Sequence, residues 1–354
     1  MPPQQRPDWE RALVAYHEVL DFVKSPRGQS YLKSWVENRR EAYGYEHMQP
    51  SQVAAAWLDD DLASADAIFV TEEMQYVTYR AMEGFRRSEP VWIDDFFIRN
   101  GFAVLAEPFQ SLDVKGRKTS WRAISWNVEQ MWTIDPKYRD ILSERLKARG
   151  IPFGGYMRDL FDTSIRLNED DIRGIPGARE EWTVRVTLFA HEDDPDDYNF
   201  KDNWRKEIGS SWLVTHTTSF PFSAIPDIRE MRGEGDADAA WLTFLRVLNR
   251  LMAEKLISKG RRQPTRPTRR WLLKKNVPIK DVVVIELRRR QQKRSENDGG
   301  EHREFSHRFI RHGHWRNQWY PSIGRHRQKY IEDMIIGPED KPLVLKDRVW
   351  NFDR

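Results

Sequence analysis

Ala67-Ile68-Phe69-Val70, followed at once by Thr71-Glu72-Glu73-Met74, is where the chain passes from purely helical patterning to a mixture of strands and helices. An unbroken apolar run of this length suits a strand buried on both faces. Thr71 with Met74, Val77, Tyr79 and Met82 reads as the helix after it. Further strands are expected at Gly101–Ala106, Trp121–Trp126, Thr183–Ala190 and Ser211–Thr218, with a helix over Tyr138–Arg149. Strands interleaved with helices in this way indicate an α+β central region.

Upstream the pattern is helical. Asp8 is placed to cap a helix carrying Trp9, Leu13, Tyr16, Leu20 and Val23, which Pro26-Arg27-Gly28 should end. A second helix is expected from Gln29 to Tyr45 and a third from Ser51 through Leu62. Asp59-Asp60-Asp61 falls in the third; three successive carboxylates fan around a helix axis, so the run reads as solvated surface rather than a metal site. Downstream, Trp241, Phe244, Leu245, Leu248, Leu251, Met252 and Leu256 form one apolar stripe of a helix spanning Ala237–Lys259. Gln263–Lys280, broken by three prolines and rich in basic residues, reads as an irregular arm. Asp281–Arg288 is a buried-type strand, and Glu304–Arg311, Lys329–Ile336 and Val344–Phe352 complete a small antiparallel set. The expected architecture is therefore α+β: a helical N-terminal region over 1–66, a mixed α/β central domain over 67–260, and a small basic antiparallel β C-terminal region over 261–354.

Charge is polarised along the chain. Residues 255–354 hold 26 basic against 12 acidic side chains, a balance of +14, and residues 1–254 hold 32 against 43, a balance of −11. Five of the nine histidines (His302, His307, His312, His314 and His326) lie in the basic end. Such a chain either presents a polyanion-facing region on an acidic body or docks its two halves on each other. Cysteine is absent, which excludes disulfides, thiolate metal sites and cysteine nucleophiles and suits the cytoplasm. No apolar run approaches a bilayer span, and the opening residues lack the apolar core of a secretory signal, so no membrane partner is expected.

The densest candidate site is Phe305 to Pro321. In a strand His312 and His314 would share a face with Arg316, combining imidazole and guanidinium as phosphodiester chemistry requires. Arg308 and Arg311, with Arg269, Arg270, Arg325 and Arg327, would hold phosphates, while Trp315, Trp319 and Tyr320 stack on unpaired bases. The competing reading makes these cations hydrogen-bond the acidic body. His312-x-His314 with His302 and Glu304 offers a weaker iron-type ligand pattern, and the acidic turn Glu192–Asp197 lacks the spacing of a calcium loop. P-loop, dinucleotide and zinc-protease motifs are missing, so no cofactor is expected.

Gly313-His314-Trp315-Arg316-Asn317-Gln318-Trp319-Tyr320-Pro321, followed by Gly337-Pro338-Glu339-Asp340-Lys341-Pro342-Leu343, together with Arg266–Arg270 and Val282–Arg289, resembles a family of proteins from actinobacteria and their phages. Ala67–Val70, Gly101-Phe102-Ala103-Val104 and Ala123-Ile124-Ser125-Trp126 resemble its earlier segments. The resemblance implies a phage or mobile-element setting and carries no activity. The leading expectation is a cytoplasmic protein that binds RNA or other single strands. The alternatives are a metal-independent ribonuclease of the toxin kind, with His312 or His314 as acid or base and Arg316 on the phosphate, and a non-enzymatic module that engages an acidic protein partner.

Overall fold

The structure, a computed structural model, describes residues 7–32, 34, 58–86, 88–112, 118–133, 138–148, 169–194, 209–223, 225, 237–254, 257–287, 309–311, 313–331 and 334–336. The chain is α+β. Helix α1 (Glu10–Lys24) precedes β1 (Asp66–Val70), α2 (Glu72–Glu83), β2 (Asn100–Leu112), β3 (Lys118–Thr133), α3 (Arg139–Ala148) and the single turn α4 (Glu169–Ile172). There follow β4 (Arg179–His191), β5 (Trp212–Pro221), α5 (Ala237–Ala253), β6 (Ile257–Arg262), α6 (Arg266–Lys274) and β7 (Val282–Leu287). Four short strands close the described chain: β8 (Phe309–Arg311), β9 (His314–Tyr320), β10 (Arg325–Ile331) and β11 (Met334–Ile336).

Seven strands form one sheet in the order β5-β4-β3-β2-β1-β7-β6. Strand β1 runs parallel to both neighbours, β2 and β7, and the remaining pairs are antiparallel. Because side chains alternate, Ile68 and Val70 face one core with Val283 and Ile285, while Ala67 and Phe69 face another with Val282 and Val284. A strand covered on both faces has no polar side, which is why the β1 and β7 sequences are continuous apolar runs. On the first face lie α2 and α5, through Met74, Ala81, Trp241, Phe244, Leu248 and Met252. On the second lie α1, the helical stretch 58–64 and α6, through Leu13, Tyr16, Leu58, Leu62 and Leu272. Gly101 is required by this packing, since a Cβ there would meet Trp126 Cζ2 at 2.5 Å.

Several expectations are corrected. Asp8 forms an ion pair with Arg11 at 3.0 Å and does not cap α1, whose N-cap is Trp9. Pro26 opens the next helical stretch, 26–32, instead of closing the first, in keeping with the tolerance of a helix's first turn for proline. Helix α5 stops at Ala253, and residues 257–262 turn into edge strand β6. Gln263–Lys280 is not an irregular arm, because it holds α6, with Pro267 in its first turn. Strands β6 and β7 complete the main sheet, so the chain on either side of residue 260 builds one core. Asp61 is buried, with Arg185 Nε and Nη2 donating to its carboxylate at 2.6 and 2.7 Å. Most of the expected helices over 29–45 and 51–62, and the strand Val344–Phe352, lie outside the described residues.

His17 on α1 is fully buried, and among the described residues neither ring nitrogen has a hydrogen-bond partner. Burial, helped by the charges of Lys280 and Lys275 and opposed by Asp21, pushes its pKa down to about 4. Above the ordinary value near 6.5 both folded and unfolded chains hold it neutral. As pH falls from there towards 4 the unfolded chain takes up a proton that the folded one refuses, so stability is lost, by about 2 kcal/mol after screening is allowed for. Thermal melts of wild type and His17→Leu should therefore diverge below pH 6.5, with the wild type falling faster. Parallel curves over that window would refute the assignment.

Candidate nucleic-acid interface

The basic end folds as a hairpin. Strands β9 and β10 pair antiparallel, with Trp315 opposite Tyr330, Asn317 opposite Gln328 and Trp319 opposite His326. The turn is a 3-10 segment, Pro321–Ile323, closed by Gly324 at φ 62°, a left-handed conformation that glycine adopts without a Cβ clash. β8 and β11 pair in the same sense just beyond, with Arg311 opposite Met334. Alternation puts Trp315, Asn317, Trp319, His326, Gln328 and Tyr330 on one face.

Both faces of β10 engage the body. On one, Trp315 packs at 5.3 Å against Phe85 and against Tyr330, and its Nε1 donates to the Ala81 carbonyl at 2.5 Å. Gln328 accepts from the Arg86 amide at 3.2 Å and donates to the Glu89 carboxylate. On the other, Arg325 binds Asp94 at 2.6 Å with its guanidinium 4.0 Å above the Trp92 ring. Arg327 reaches Asp94 at 3.3 Å and Asp95 at 3.1 Å. Beneath them, Arg250 of α5 bridges Glu89 and Asp95, each at 3.1 Å, and Arg246 donates to the Glu89 carbonyl at 2.9 Å. Asp94 and Asp95 sit in a 3-10 turn, Ile93–Asp95, where the Trp92 amide donates to Asp95 at 3.1 Å.

The electrostatics follow from this packing. Burial by itself would raise the Asp94 carboxyl, but the hydrogen bond from Arg325 and the charges of Arg327 and Arg325 outweigh it and hold it low. Arg246 is pushed down to about 10 by burial and by the neighbouring Arg250 charge, against the pull of Asp95 and Glu89. At the end of α5, burial raises the Glu254 carboxyl despite Lys329 and Arg327. Burial and Glu254 together raise Tyr320, against Arg327, Arg316 and Arg250.

What the docking leaves outside is the outer strand. His314, Arg316 and Asn317 are exposed, and Trp319 is 46% exposed, with its ring 5.1 Å from that of His326. Arg316 hydrogen-bonds Gln318 on its own strand. An exposed indole beside imidazole and amide can stack on a base while the cation on the strand's other face meets a phosphate.

The expected site residues therefore separate into groups. His314, Arg316 and Trp319 are all exposed on β9, the first two on one face of the strand and Trp319 on the other. Trp315 is not a stacking platform but the anchor of the hairpin, and Tyr320 is partly covered beside Glu254. Arg325 and Arg327 face Asp94 and Asp95, as the docking alternative expects. Arg269 and Arg270 lie on α6, which packs on the opposite face of the sheet from Trp315 and Tyr330. Arg308, His312 and the side chain of Arg311 lie outside the described residues, as do His302 and Glu304 of the metal reading. Sequence reasoning missed Trp92, Asp94, Asp95, Glu89, Arg246, Arg250 and Glu254. No short-range signal marks them, because each acts across more than 60 residues of chain. Among the described residues no helix is long and apolar enough to cross a membrane. The sequence matches no protein-family model, and the search of curated proteins finds no similar one.

Proposed function

We propose that the protein binds nucleic acid, with the outer strand of the hairpin taking an unpaired stretch of RNA or DNA. The observation that carries this reading is the Trp319–His326 pair left exposed on the same face as Asn317, with Arg316 exposed on the other face of the same strand, while the rest of the hairpin is docked. Single-strand binders combine stacking rings with cations in this way, whereas a surface that only docks the hairpin has no use for an exposed indole. The balance of +14 over residues 255–354 supports a polyanion partner. A cytoplasmic, phage or mobile-element setting is part of the proposal, supported by the lack of cysteine and by the Gly313–Pro321 resemblance.

A titration of the whole protein against an oligonucleotide of about 20 unpaired bases, at several salt concentrations, tests it. Arg316→Ala with Trp319→Ala should weaken binding by about tenfold or more, since stacking alone is worth ~1–3 kcal/mol per base, and should leave the melting temperature within about a degree because both positions are exposed. Undiminished binding by the double variant, or none by the wild type at low salt, would sink the reading. The ribonuclease alternative draws on His314 sharing the cationic face with Arg316. It predicts cleavage of labelled RNA that His314→Ala abolishes and a chelator does not.

A further inference from the structure

We infer that α6 carries a second, separate nucleic-acid surface, one that holds the phosphate backbone of a duplex. Arg266, Arg269, Arg270, Leu273 and Lys274 follow one another at helical spacing on the face opposite the buried Thr268 and Leu272, and all five are exposed. Among the described residues none of the four cations has an ion-pair or hydrogen-bond partner for its side chain. Nearby cations do: Arg261 reaches Asp66 at 3.6 Å, Arg262 reaches Glu286 at 2.5 Å and Lys275 reaches Asp21 at 3.6 Å. The row of four covers about 12 Å of helix axis, along which a duplex displays roughly seven phosphate charges.

Helix stability does not account for this arrangement. The N-terminus of a helix favours acidic side chains, yet the first turn of α6 has none and carries Arg266 and Arg269 instead. The carboxylate that complements this end is supplied from α1: the buried Glu10 accepts from the Thr265 amide and from the Thr268 hydroxyl, the latter at 2.6 Å. The other end is closed by Asn276 at φ 55°, in the left-handed position after the cap. The helix is thus held at its start by α1 and closed locally at its end, while every charged side chain on its outer face is a cation.

Two features select the occupant. No aromatic ring lies on the exposed face, because Trp271 packs toward the α1 core under Lys275, so the face can hold backbone but cannot stack on bases. Its apolar side is buried against α1, which leaves only Leu273 outward, too little for a helix that beds into lipid. With α6 and the hairpin on opposite faces of the sheet, the inference does not depend on the hairpin reading.

The test is binding of the whole protein to a duplex of about 20 base pairs, to an unpaired strand of the same length, and to phosphatidylserine vesicles. Arg269→Ala with Arg270→Ala should weaken duplex binding about tenfold or more at low salt and flatten the log–log salt dependence by about two, one for each phosphate contact removed. Single-strand affinity, carried by β9, should move by less than about twofold. Unchanged duplex binding in that variant, or loss of vesicle binding without loss of duplex binding, overturns the inference. If Arg316→Ala with Trp319→Ala leaves every affinity unaltered while the α6 variant loses the duplex, the hairpin reading falls and α6 stands.

Discussion

Asp61→Ala is expected to lower the unfolding free energy by about 3–5 kcal/mol, the cost of leaving a buried charge without its partner. Arg185 stands inside β4 on the face covered by the 58–64 helix, and it is 7% exposed, as is Asp61. Its guanidinium meets Asp61 through two parallel hydrogen bonds, one to each carboxylate oxygen, and Glu129 through a third at 2.7 Å, while Asn127 donates at 2.8 Å to Asp61 Oδ1, the oxygen that accepts from Arg185 Nη2. Burial alone would lower the Arg185 pKa, and the hydrogen bonds and charges of the two carboxylates raise it instead. Removing Asp61 leaves one partially exposed carboxylate to hold a cation that water no longer reaches. Denaturant unfolding of the variant measures the loss, and Asp61→Ala combined with Arg185→Met should recover part of it. A loss below about 1 kcal/mol in the single variant would show that the pair is not isolated from solvent.

Asp61 also shows what the sequence could and could not disclose. Three successive helix residues fan through about 200°, so a run of three aspartates on a helix packed against a sheet cannot all point away from it. The fan was legible and the inward member was not, because its partner lies 124 residues away. The central strands were legible for the opposite reason. Ala67–Val70 and Val282–Ile285 are covered on both faces, and continuous apolar sequence is the local signature of that environment. Helix α6 was hidden by its prolines, although Pro267 sits where a helix tolerates one. In the hairpin the alternation was readable but its direction was not. Trp315 and Trp319 share that face, and which of them lies over the body is decided by Phe85 and Ala81, more than 200 residues earlier, with nothing within β9 to distinguish the two indoles.

Arg250→Ala should produce a loss of similar size, about 3–5 kcal/mol, and should direct it at the hairpin. Arg250 is 3% exposed and joins Glu89 to Asp95 while its guanidinium lies 5.3 Å from the Phe85 ring that also supports Trp315. Those two carboxylates are the ones Gln328 and Arg327 use, so the same charges hold α5 on one side and β10 on the other. Without Arg250, Asp95 keeps Arg327 and the Trp92 amide but remains almost wholly buried, and each contact of β10 with the turn is weakened together. Amide exchange over 314–331 should accelerate more than exchange in β1 or β7, since a docked element opens before the sheet that supports it. By contrast Arg316→Ala, an exposed position on the same hairpin, should change stability by less than about 0.5 kcal/mol. If exchange in the sheet and in the hairpin rises equally, Arg250 serves the core as a whole and the hairpin is not separately latched to it.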